Sequence, residues 1–157
     1  MAKYAVSNGT GGTPQAMTTT YKTIWDLTSA TGATTLRRAW IYDMTFGADG
    51  TPADNSMTWK VDRQTTTGTR TAATPAPIDA GDVAALITAG VNTTIEPTIT
   101  ASTQLLEIAA NQRATYRWVA SPGSELIVPA VNVTGLGGRA KSPAYTGTVV
   151  GSFLFFE

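Results

Sequence analysis

Three stretches of this chain alternate apolar and polar residues with a period of two, and that pattern commits it to half-buried β-strands. In residues 21–28 the odd positions hold Tyr21, Thr23, Trp25 and Leu27. In residues 36–46 the even positions hold Leu36, Trp40, Tyr42, Met44 and Phe46, with Arg38 as an interruption. In residues 56–64 the odd positions hold Met57, Trp59 and Val61. β-Branched and aromatic residues also suit a pleated surface. On this register Trp40, Tyr42, Met44, Trp59, Trp118 and Phe153 are predicted to be core residues.

Turn residues divide the rest of the chain. Asp49-Gly50 and Pro52 separate the second and third stretches. A long loop is expected over residues 65–77, followed by a short helix over residues 78–87 with Asp79 as N-cap and Gly90 as stop. Further strands are expected over residues 94–100, where Pro97 marks an edge or bulge, and over 104–110, 114–120 and 125–128. Asn111-Gln112-Arg113 reads as a hairpin loop between two of them. Residues 129–144 read as a loop, because Gly135, Gly137, Gly138 and Pro143 fall there. The last strand is expected over residues 145–156 and is apolar on both faces near its end.

About eight short alternating strands without βαβ alternation predict an all-β, antiparallel β-sandwich. A jelly-roll-like arrangement suits the long connection that carries the helix. An immunoglobulin-like sandwich is the competitor, and it would lack its usual cysteine pair. At 157 residues the chain fits one domain. Residues 7–20 are rich in Gly and Thr and low in apolar content. They predict a flexible N-terminal arm over residues 1–20, ordered on assembly, with Tyr4 and Val6 as an apolar hook for a neighbouring subunit. The sandwich would then occupy residues 21–157.

Composition narrows the chemistry. The chain has no histidine and no cysteine, the side chains behind most zinc sites and many nucleophile–base pairs. Asp43, Asp49, Asp54 and Asp62 cluster around the second and third strands, but without the spacing of a calcium loop. No pair of carboxylates is singled out for glycoside hydrolysis, and the Gly-rich strings lack the strand–loop–helix setting of a phosphate cradle. No catalytic residue, metal or cofactor is therefore expected. Eleven basic residues balance eleven acidic ones, so no basic footprint for nucleic acid is present. The first residues lack the apolar core of a signal peptide. No run approaches 18 apolar residues, so no membrane partner is expected. Charged residues make up only 14% of the chain, against about 25% in an average domain. That depletion suits either a surface partly covered by partner subunits or a Thr/Ser-rich exterior solvated through its hydroxyls. Arg37, Arg38, Arg139 and Lys141 join Tyr4 and Val6 as candidate partner contacts.

The Met-Ala-Lys-Tyr-Ala-Val start, the Thr-rich tether and three segments carry a resemblance. These are TTTYKTIWDLTSATGATTLRRAWIYDMTFG, TPADNSMTWKVDRQT and NQRATYRWVASPGSELIVPA. Together they resemble jelly-roll capsid decoration, or cement, proteins of tailed bacteriophages. The resemblance implies a non-enzymatic virion protein on the capsid exterior, made in the host cytoplasm. It further implies a homo-oligomer, with a trimer favoured, whose partner is the major capsid protein. The alternatives are another virion component, such as a small capsid or tail subunit, and a carbohydrate-binding β-sandwich module.

Overall fold

Every alternating stretch becomes a strand, but the sandwich recruits more of the chain than the alternation alone reveals. The computed structural model describes residues 1–30, 36–144 and 146–157. In chain order the strands are β1 (Lys3–Ser7), β2 (Gln15–Ala16), β3 (Lys22–Thr28), β4 (Ala39–Asp49), β5 (Ser56–Gln64), β6 (Thr69–Ala73) and β7 (Ala76–Pro77). They continue as β8 (Thr88–Ile95), β9 (Ile99–Asn111), β10 (Tyr116–Val119), β11 (Leu126–Val128), β12 (Gly135–Lys141) and β13 (Thr148–Phe156). The expected start of the last strand at Tyr145 lies outside the described residues. All ladders between these strands are antiparallel. A seven-stranded sheet runs β10-β4-β13-β1-β7, with β11 beside β4 and β2 beside β13. A six-stranded sheet runs β6-β8-β3-β12-β5-β9. The fold is an all-β sandwich of these two sheets.

A chain of aromatic rings fills the space between the sheets. Tyr4 stacks on Phe155 at 5.3 Å between centroids, Phe155 lies 5.9 Å from Phe153, and Phe153 lies 4.4 Å from Trp25. Trp25 continues to Phe46, and Phe46 to Trp59 at 4.8 Å. All six are buried. The expectations for Met44, Trp59 and Phe153 hold, and Trp118 is half-buried against the same core.

Four expectations change. First, residues 1–20 are not a tether: β1 pairs with β13 and β7 of its own chain, and Tyr4 and Val6 lie inside the core. A 3-10 turn over Asn8–Gly11 follows β1. There the buried Asn8 amide donates to the Val149 carbonyl (2.8 Å) and accepts from the Gly151 N–H (2.8 Å). Low apolar content over residues 7–20 hid this role, because beyond Tyr4 and Val6 the main anchors are backbone ladders and one buried amide.

Second, the Gly-rich stretch within residues 129–144 forms β12, a central strand between β3 and β5. The Trp25 indole lies against the backbone of Gly138, where any Cβ would overlap the ring. Here glycine marks close approach inside a strand rather than a loop.

Third, the expected helix over residues 78–87 is a series of bends and turns. Asp79 accepts a hydrogen bond from the Gly81 N–H (2.9 Å), which closes an Asx turn. The loop expected over residues 65–77 likewise contains β6 and β7.

Fourth, Asn111-Gln112-Arg113 is a corner between sheets, since β9 and β10 lie in different ones. Gln112 is buried there, donating to Ser142 Oγ (2.8 Å) and accepting from the Ala53 N–H (3.1 Å).

Two substitutions test this packing. Gly138→Ala should destabilise the chain by about 1–3 kcal/mol in urea titration, as overpacking does. Deleting residues 1–7 removes two buried side chains, each contributing about 1.5–3 kcal/mol. The truncated chain should lose the cooperative unfolding transition seen by circular dichroism.

Candidate partner-binding face

One end of the outer face of the seven-stranded sheet is apolar, where an outer face is normally polar. Its origin is a bulge in β4. Leu154 of β13 pairs with Asp43 and Phe155 with Ile41, so Tyr42 is the extra residue. Before the bulge Ala39 and Ile41 face the core; after it Met44 and Phe46 do. The even-position register therefore holds only beyond the bulge. Trp40 and Tyr42, expected in the core, stand half-buried on the outer face instead.

There they form part of a row that crosses the sheet. Ile127 of β11 pairs with Trp40, Trp40 with Phe156, and Phe156 with Lys3. Ile78 follows β7 and donates its N–H to the Lys3 carbonyl (2.8 Å), which places it at the end of the row. Five strands at about 4.8 Å spacing make the row about 19 Å wide. The Trp40 and Phe156 rings stack at 5.4 Å, and Tyr42 and Phe156 at 5.9 Å. The Lys3 ammonium lies 5.8 Å from the Tyr42 ring centroid. Ile78 is 56% exposed, Ile127 39% and Val119, beside Asp43, 56%. A shallow concavity of about 240 Å³ opens between Lys3, Tyr42, Ala120, Pro122, Glu125 and Phe156. Beyond it Arg117 forms a two-pronged pair with Asp43 (2.5–3.2 Å). That pair holds the Arg117 guanidinium above its usual range.

The rim of this face is held by the loop that replaced the expected helix. Glu157 accepts hydrogen bonds from the N–H groups of Leu86 (2.7 Å) and Ile87 (3.1 Å), and Tyr4 donates to the Val83 carbonyl (3.0 Å). Arg37 lines a cleft of about 320 Å³ with Ala2, Tyr4, Val83, Leu86 and Glu157. Arg37 and Arg38 are both exposed on the approach to β4.

The outer face of the other sheet is polar and closed by its own contacts. Asp26 is fully buried on β3. It is paired with Arg70 and accepts from Gln64 Nε2 (2.9 Å). Arg70 also reaches Thr28 and Thr88 (3.2 and 3.3 Å). Burial pushes the Asp26 carboxyl above its ordinary value, with Arg70, Gln64 and the Gly90 backbone opposing it. Farther along the face three cations surround the Tyr21 ring: Lys60 at 4.1 Å, Lys141 at 4.7 Å and Arg139 at 5.4 Å. Burial and Glu107 push the Tyr21 phenol up to about 12. Arg139 pairs with Asp62 (3.2 Å) and Glu96 (3.4 Å).

The six candidate contacts thus separate. Tyr4 and Val6 are consumed by the chain's own core. Arg139 and Lys141 belong to the Tyr21 cluster. Only Arg37 and Arg38 border the apolar face. Sequence reasoning missed Phe156, Ile127 and Ile78 as surface residues; only Phe156 had a signal, the two-faced apolar character of the last strand. The four aspartates around the second and third strands are dispersed. Asp43 pairs with Arg117, Asp54 with Arg113 and Asp62 with Lys60 and Arg139. No group of three or more acidic side chains able to hold a metal occurs among the described residues. Comparison with protein-family models, with curated proteins and with solved structures returns no match.

The Asp26–Arg70 pair yields a pH-dependent prediction. Arg70→Ala leaves a buried carboxylate uncompensated, which costs about 3–5 kcal/mol near neutral pH. With Arg70 gone the folded-state affinity of Asp26 for its proton rises further. The penalty should therefore shrink as pH falls, and be smallest below the ordinary carboxyl range near 4, where Asp26 is protonated in both states. Thermal melts across pH would show it, and adding Asp26→Asn should restore most of the neutral-pH loss.

Proposed function

We propose that this chain is a non-enzymatic virion structural protein, a capsid decoration subunit. In this reading it docks as a homo-oligomer on a shell of major capsid protein through the outer face of the seven-stranded sheet. The observation that carries this reading is the row Ile127, Trp40, Phe156, Lys3 and Ile78. Large exposed apolar patches on an outer sheet face mark interaction sites. Aromatic anchors such as Trp40 and Tyr42 are the residue types enriched at interface hot spots. Arg37 and Arg38 at the rim would steer an acidic partner. The resemblance in the sequence supplies the shell as that partner, and symmetry multiplies modest contacts into firm attachment.

A carbohydrate-binding module draws on the same aromatic residues. Stacking on a sugar needs an open ring face. Here Trp40 and Tyr42 each stack on Phe156, and the Lys3 ammonium lies near the Tyr42 ring, so ring faces are already engaged within the chain, which favours a protein partner.

Electron microscopy of particles that carry this chain should place it on the outer shell. Trp40→Ser and Phe156→Ser should each weaken attachment at least about tenfold, the effect of losing a hot spot. Both variants should keep the sandwich folded, since neither side chain lies in the core. Attachment unchanged in the double variant would overturn this docking face, and glycan binding lost in it would favour the sugar reading.

A further inference from the structure

We propose that the free edge of β9 is a self-association surface, on which a second copy of this chain pairs its own β9 antiparallel about a two-fold axis. This surface is separate from the apolar row and does not depend on the shell reading. It starts from how the four sheet edges are treated. An exposed edge offers unpaired N–H and C=O groups, and proteins blunt it with short strands, charges, proline or bulges. Three edges follow that rule. At one side of the seven-stranded sheet β7 has two residues and ends in Pro77. At the other side β10 is four residues long and carries Arg117, and β11 has three residues. The β6 edge of the six-stranded sheet is five residues long and carries Arg70. The fourth edge, β9, runs 13 residues without Lys, Arg or Pro; its first half is bulged against β5 and holds Ser102 at φ 58°, so the regular, unblunted stretch is Leu106–Asn111. Among the described strands β5 is its one ladder partner.

The occupant follows from the order of side chains. From Leu106 to Asn111 the ladder with β5 is unbroken. Leu106, Ile108 and Ala110 pair with Val61, Trp59 and Met57, so they face the sandwich interior. Glu107 and Ala109 pair with Lys60 and Thr58 and face outward. A two-fold axis at Ile108 pairs this whole interior row with itself: Leu106 against Ala110 and Ile108 against its copy. The interior layer then continues from one subunit into the next. On the outward side the same axis sets Glu107 against Ala109. An axis at Glu107 would oppose two carboxylates, which disfavours that register.

This register makes Ala109 a directional probe, and Ala109 is exposed, so its substitution spares the fold. Sedimentation equilibrium of the full chain should show a monomer–dimer equilibrium. Ala109→Glu creates two symmetric like-charge pairs with Glu107 and should weaken the dimer roughly three- to tenfold. Ala109→Lys creates two opposite-charge pairs and should tighten it by a similar factor. Melting temperatures under monomeric conditions should match the unsubstituted chain. A chain that stays monomeric, or an oligomer indifferent to both substitutions, would overturn the proposal. Loss of shell attachment with the dimer intact would instead count against the docking face alone.

Discussion

The burial of Trp25 is the constraint on which the rest of the structure depends. Its indole is sandwiched between Gly138 of its own sheet and Gly151 of the facing one. It touches Phe153 and passes the aromatic chain on to Phe46 and Trp59. In this position, between two sheets about 10 Å apart, the ring takes up the space that side chains on both backbones would otherwise fill. This explains Gly138 in the strand at the centre of the six-stranded sheet. It also explains why a glycine interrupts the inward row of β13, otherwise Val149, Phe153 and Phe155.

The N-terminal strand completes that core. Tyr4 closes one end of the aromatic chain, and its hydroxyl holds the loop that borders the outer face. Asn8 bridges β13 and, through Asn92 (3.2 Å), β8 of the opposite sheet. One short segment therefore ties both layers together. The polar layer over the six-stranded sheet adds a different kind of order. Buried charge pairs such as Asp26–Arg70 contribute little net stability, yet they are costly to break. They hold that face in one arrangement.

The two sheets consequently present different outer surfaces. One spends its charges internally, among Asp26, Asp62, Glu96, Arg70, Arg139 and Lys60. The other leaves Trp40, Phe156, Ile127 and Ile78 open. The low charge of the chain thus has a location, because many of its few charges are paired within one face. Docking through one sheet face and self-pairing through the opposite sheet's edge would leave the two contacts free of mutual interference. That geometry suits an assembly protein with more than one neighbour.

Period-two alternation alone determined the class of the fold, the positions of β3, β4 and β5, and the core roles of Trp59, Met44 and Phe153. These are local matters, since a strand's own pattern states which side it buries. Tertiary structure decided what local pattern cannot express. The bulge at Tyr42 exists only relative to β13, and it turned Trp40 and Tyr42 outward. Gly138 of β12 acquired its meaning from the ring of Trp25, more than a hundred residues away, and Gly135 from the close approach of the Leu27 carbonyl. Residues 1–7 became a strand because β13 offered them a ladder and the core offered Tyr4 a place. The corner after β9 looked like a hairpin loop, since a turn does not record which sheet its second strand joins. The apolar row joins residues from β11, β4, β13, β1 and the segment after β7, so it came into being only when those strands lay side by side.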